Sequence, residues 1–109
     1  MRPALAWAAL IVAGLLEVVW AFAMKRSEGF TRALPTLVML VAMAASVGLL
    51  AWSMRALPLG TAYAMWTGIG ALGAFAAGII LLDEPVSAMR VGGAAMILGG
   101  LVLLKASAS

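Results

Sequence analysis

The chain has 109 residues, of which 66% are hydrophobic and 10% charged, against roughly half apolar and about a quarter charged in soluble domains; an ordinary soluble domain and a disordered chain are both excluded. Cys, His, Asn and Gln are absent, so disulfides, thiol nucleophiles, zinc centres and imidazole acid–base chemistry are excluded too. The net charge of +3 comes from scattered Lys and Arg, which read as membrane-surface anchors and not as a nucleic-acid face.

A helix needs about 20 apolar residues to cross a bilayer core of about 30 Å. Four runs meet that length. Ala4 to Met24 is broken only by Glu17 and is followed by a polar hinge of Lys25, Arg26, Ser27, Glu28, Gly29 and Arg32. Leu34 to Met54 follows and ends at Arg55 and the Leu57-Pro58-Leu59-Gly60 turn. Leu59 to Leu82 is closed by Asp83-Glu84-Pro85. Val86 to Leu104 has Arg90 near its start and Lys105 at its end. None alternates with period two, and only helices or closed barrels satisfy backbone groups in lipid. The expectation is an all-α membrane protein, with residues 1–109 forming a single four-helix transmembrane domain (spans near 4–24, 34–54, 59–82 and 86–104). The start of the chain resembles a signal peptide, with Arg2 and an Ala21-Phe22-Ala23 site. Its apolar stretch is too long for one and holds a glutamate and a tryptophan, so it is expected to stay as a membrane helix, not to be cleaved.

Lys and Arg bias sets membrane orientation. With four spans, Arg2, Arg55 and Lys105 share one side, and Lys25, Arg26, Arg32 and Arg90 share the other: three against four. Two readings stay open. One is a weak preference for the N-terminus outside. The other is insertion in both orientations, which allows an antiparallel dimer.

Glu17 is the one acidic residue in the middle of a span. A charge at the bilayer centre costs at least about 2.5–3.5 kcal/mol. A carboxyl there either donates one interhelical hydrogen bond in its protonated form, or binds a proton and a cation in exchange. Helical spacing puts Leu10, Ala13, Gly14, Glu17, Trp20, Ala21 and Met24 on one face. Gly14 removes bulk one turn before the carboxylate. Trp20 places an indole one turn after it, with an N–H donor and a face that stacks on planar cations. Trp7 and Trp52 lie nearer span ends and fit an interfacial belt. In the third span Tyr63, Trp66 and Thr67 share a face with Gly60 and Gly70; the Tyr and Trp are donors for a carboxylate network. Gly68, Gly70 and Gly73 allow a kink or close packing. Ser46, near the middle of the second span, bonds its own preceding turn unless it faces Glu17. The fourth span has no polar side chain between Arg90 and Lys105. Gly93 and Gly100 lie on one face, and it reads as a dimerisation helix. No nucleophile–base pair, metal cluster or phosphate-binding loop is present, so no enzyme activity, metal or cofactor is expected.

Certain words in the chain are more specific. They are Gly14-x-x-Glu17-Val18-Val19-Trp20, then Lys25 with Gly29-Phe30-Thr31-Arg32, then Leu57-Pro58-Leu59-Gly60-Thr61-Ala62-Tyr63-Ala64-x-Trp66-Thr67-Gly68-Ile69-Gly70, and Glu84-Pro85. With them the chain resembles, over essentially its whole length, a small multidrug resistance transporter. Trp20 and Ser46 narrow the resemblance to the guanidinium exporter subtype, as against the promiscuous quaternary-ammonium exporters. That resemblance implies an antiparallel, dual-topology homodimer in a bacterial inner membrane. It implies two Glu17 carboxylates on one cavity, binding protons or substrate by turns. It also implies that Trp20, Ser46, Tyr63 and Trp66 bond or enclose the carboxylates and the substrate. The second span is small around Ser46 (Ala42, Ala44, Ala45, Gly48), where related exporters often carry bulk. In the family fold this region, with Met43 and Val47, borders a lateral opening to lipid. Hydrophobic substituents on a guanidinium are therefore expected to be tolerated. Other readings are a broad quaternary-ammonium exporter, a non-transporting membrane subunit and a passive channel.

Overall fold

The computed structural model describes residues 2–108, which form helices and no strand. The helices are α1 (Pro3–Arg26), α2 (Ala33–Ser53), α3 (Leu59–Leu82) and α4 (Ala88–Ala108). All four are long and apolar enough to cross a membrane.

Local chemistry sets the ends. Pro3 opens α1 where its missing N–H costs nothing. Lys25 and Arg26 occupy its last turn, favourable for the helix dipole. The chain then reverses through three successive left-handed residues, Glu28 (φ 50°), Gly29 (φ 72°) and Phe30 (φ 68°). Only glycine adopts that region freely, so the other two need fastening. The fully buried Ser27 supplies it. Its hydroxyl donates to the Met24 carbonyl at 2.7 Å and accepts from the Phe30 amide at 3.1 Å. At the end of α3, Asp83 is left-handed (φ 54°) and the Glu84 amide reaches back six residues to the Gly78 carbonyl at 3.1 Å, which closes the helix. Pro85 keeps it closed. Ser87 then caps α4, accepting the Arg90 amide on its hydroxyl at 3.1 Å. For this reason α4 starts at Ala88 and not at the apolar Val86.

α1 is the centre of the bundle. It packs along α2 and α3, which touch each other little, while α4 packs mainly against α3. Leu10, Ala13, Leu50, Ala62, Met65 and Leu101 form the buried cluster. Glycines set how close the helices come. A Cβ on Gly14 would lie 2.6 Å from Ile69 Cγ2, and one on Gly68 would lie 2.6 Å from Leu101 Cδ2. One on Gly73 would collide with Val18. The α3 glycines thus serve close packing against two different helices. Because Ile69 is β-branched and stiff, Gly14→Ala is expected to push α1 from α3 and lower stability by about 1–3 kcal/mol. Thermal unfolding in detergent would measure this; an unchanged midpoint would show that Ile69 yields freely.

The N-terminal end of α1 and the C-terminal end of α4 are joined by Lys105 Nζ, 4.5 Å from the Trp7 ring. Most of α4 stays bare. Met89, Met96 and Leu103 are each more than 70% exposed, and no side chain approaches Gly93 or Gly100.

Candidate functional site

Glu17 sits on α1 where that helix meets α3. The apposed position on α3 is Gly70: a Cβ there would occupy the place of the Glu17 Oε1 atom. The carboxylate thus has room because residue 70 has no side chain. Glu17 is half-buried in the protomer.

One turn away, a hydrogen-bonded chain ties three helices together. The Trp66 indole N–H on α3 donates to Ser46 Oγ on α2 at 2.9 Å. The Ser46 hydroxyl donates to the Ala13 carbonyl on α1 at 2.6 Å. Ser46 is completely buried. It therefore bonds neither its own preceding turn nor a side chain on α1. In an α-helix the carbonyl of residue 13 is also the acceptor for the amide of residue 17. The chain from Trp66 through Ser46 holds the turn from which the Glu17 side chain springs. Two interhelical bonds without water competition fix its height and rotation.

Two further aromatic residues were expected at the site. Tyr63 lies with its ring centroid 5.5 Å from that of Trp66, tilted by 52°, and stays exposed on the protomer. The Trp20 indole N–H is buried and has no hydrogen-bond partner in the protomer. A buried donor without an acceptor costs about 1–3 kcal/mol, so this group is free to bond an added acceptor.

The other candidates fall elsewhere. Gly14 lies against Ile69 and Gly68 against Leu101, both at helix contacts. Gly93 and Gly100 lie on the bare side of α4. On α2, Val47 is exposed and Met43 half-buried. Neighbouring Ala42 and Ala45 line an apolar cavity of about 380 Å³ with Leu16, Val38 and Val41. Sequence reasoning did not foresee Ala13, whose contribution is a backbone carbonyl that no side-chain pattern reports. It did not foresee Ile69 either. The signal for Ile69 was present, since Gly14 and Ile69 are a small and a large residue on facing helices, but the register between helices was unknown.

Chemically, the site is a carboxylate in a membrane span, on the helix face that also carries Trp20 with its unpartnered indole N–H, and on a turn whose Ala13 carbonyl is bonded by the Ser46–Trp66 pair. Among the described residues no cluster suited to a metal ion occurs. Such a carboxylate can bind a small cation or a proton.

Comparison with known proteins agrees on one family. The sequence profile of the family described as "Small Multidrug Resistance protein" matches residues 5–97. A protein from Yersinia pseudotuberculosis serotype I (strain IP32953), named "Guanidinium exporter", is 54% identical over 101 residues, covering 93% of this chain and 97% of that one. One of the same name from Escherichia coli (strain K12) is 50% identical over 103 residues, covering 94% and 98%. Another from Citrobacter freundii is 50% identical over 103 residues, with the same coverage. A multi-pass membrane protein of four apolar helices, matched by the family profile over most of its length, this chain belongs to the small multidrug resistance family.

Proposed function

We propose that this protein exports guanidinium ion in exchange for protons, as an antiparallel homodimer in which the Glu17 carboxylates bind either ion by turns. The observation that carries the reading is the carboxylate itself. Glu17 stands in the room left by Gly70, on a helical turn clamped through Ser46 and Trp66. The relatives' name supports guanidinium as the cation.

The chemistry suits that ion. Guanidinium is planar, delocalised and weakly hydrated, and its N–H groups match the edge of a carboxylate. Indole faces attract it. The free Trp20 N–H offers a donor to a carboxylate oxygen that the cation leaves open. Two carboxylates close together do not both stay charged cheaply, so an empty site takes up protons. Substrate and protons then compete for the same oxygens. Opening such a site to each side in turn gives export driven by protons.

A second copy supplies what the protomer lacks. The bare glycine-bearing side of α4 supports a helix–helix contact there, since small residues let helices approach closely. The near-even distribution of basic residues supports insertion in both orientations. Residues 1–109 act as one transmembrane unit in a bacterial inner membrane, and the first helix is retained.

The test is on purified protein in liposomes. A guanidinium gradient imposed without a pH gradient should move protons the opposite way, read by a trapped pH dye. Guanidinium flux with no proton counter-flux would replace the exchanger by a passive channel.

The exposed, small-residue surface of α2 favours a wider substrate range. Met43 and Val47 border the path by which an alkyl tail on the guanidinium, or on a small quaternary ammonium ion, reaches lipid. Val47→Phe is expected to lower transport of alkylated guanidiniums about tenfold, the worth of two buried methylenes, and to leave guanidinium itself unchanged. Equal effects on both substrates would remove the lateral path.

A further inference from the structure

Two cavities adjoin near the α1–α2 and α3–α4 loops, and neither is lined by Glu17 or Gly70. The outer one, about 610 Å³, is lined by Lys25, Arg26, Arg32 and Glu28. The inner one, about 340 Å³, lies between α1 and α3. Phe22, Phe75 and small residues such as Ala21 and Ala74 wall it, and Lys25 and Glu84 stand at its rim. Lys25 and Leu82 belong to both.

The charges in these cavities are unmatched. The Glu84 carboxylate is folded back against Gly78, so closely that a Cβ there would collide with it. That is the last turn of α3, where the helix dipole disfavours a negative charge. Lys25 shares a cavity wall with Glu84 on one side and with Glu28 on the other. Among the described residues it forms an ion pair with neither. Arg26 and Arg90 turn their guanidinium groups over Phe22 and Phe75, at 5.8 and 5.4 Å, and not toward a carboxylate. The result is an outer cavity with three basic side chains and one carboxylate, Glu28, and a largely apolar inner one with Glu84 on its wall, the two joined at Lys25 and Leu82.

We propose that this pair of cavities binds one phospholipid with an ethanolamine headgroup. Its phosphate sits among Lys25, Arg26 and Arg32, its ammonium on Glu84, and the start of an acyl chain between Phe22 and Phe75. Each part is matched by charge or polarity. Basic pockets at the ends of membrane helices hold lipid phosphates. The ammonium has N–H donors for a charge-assisted bond to Glu84, which a choline headgroup does not have. The depth order is also right. Ala21 and Ala71 lie further into their spans than Lys25 and Glu84, so the apolar part of the site is the deeper one. The reading stands whether or not guanidinium is the transported ion.

The test is native mass spectrometry of the full-length protein, exchanged into detergent with equal amounts of palmitoyl-oleoyl phosphatidylethanolamine, phosphatidylglycerol and phosphatidylcholine. The native chain should keep the ethanolamine lipid over the choline lipid by about tenfold, the factor of one charge-assisted hydrogen bond. Glu84→Gln should bring that ratio close to one while phospholipid is still retained. Lys25→Gln, which leaves Glu84 untouched, should lower retention of all three lipids and keep the ethanolamine preference. Equal retention of ethanolamine and choline lipids by the native chain overturns the proposal. So does a preference that survives Glu84→Gln, and so does stronger retention of phosphatidylglycerol, which would leave a phosphate site without the ammonium half.

Discussion

Glu17→Gln should abolish guanidinium-driven current in proteoliposomes, by at least about 100-fold, while the protein still folds. The amide has the shape of the carboxyl and keeps its hydrogen-bonding capacity, so packing against the room at Gly70 is preserved. What it loses is the ability to carry a charge or exchange a proton. No other ionisable side chain stands in the middle of a span, so nothing replaces it. Charge-assisted bonds to a carboxylate are worth about 1.5–3 kcal/mol each, and guanidinium makes two of them with one carboxylate edge. Loss of both gives the factor stated. The measurement is current on solid-supported membranes after a guanidinium jump, with size-exclusion elution as the check on folding. A current that persists in the variant would take Glu17 out of the mechanism, and a non-transporting role, which needs only a hydrogen bond at this position, would then fit better.

The second large effect concerns a residue with no side chain at all. Gly70→Ala is expected to lower the apparent affinity for guanidinium by about 10- to 100-fold with little loss of stability. The added methyl falls on the Glu17 Oε1 position. The nearest atoms it meets belong to the mobile end of a glutamate, so the helices need not separate. The displaced group is the one proposed to bind the ion, however, and its oxygens must leave the place that the Ser46–Trp66 clamp sets for them. Gly14→Ala should behave in the opposite sense, because its methyl meets the stiff side chain of Ile69: stability falls first. Thermal unfolding and transport measured on both variants separate the two roles. Equal loss of stability in both would mean that Gly70 is a packing glycine like Gly14.

Much of this molecule was legible in the order of its residues. Four long apolar runs without period-two alternation leave helices and not a barrel as the solution in lipid, and they define the all-helical fold. Glu17 stood out because a carboxylate in the middle of a span is expensive, and Trp20 and Gly14 shared its face by spacing alone. Capping chemistry was legible in part: Pro58 and Pro85 marked boundaries, whereas the start of α4 depended on the Ser87 cap.

The relation between helices was not legible. Spacing within one helix follows from 3.6 residues per turn, but nothing in a single chain gives the register of α2 or α3 against α1. Tertiary packing alone decided that Ser46 reaches the Ala13 carbonyl and takes the Trp66 proton donor, that Gly70 and not Gly68 faces Glu17, and that the Glu84 carboxylate folds onto Gly78. The physical reason is that side-chain chemistry and helix period are local properties. The meeting of a carboxylate with a gap, or of a serine with another helix's backbone, depends on how apolar surfaces interlock across the whole bundle.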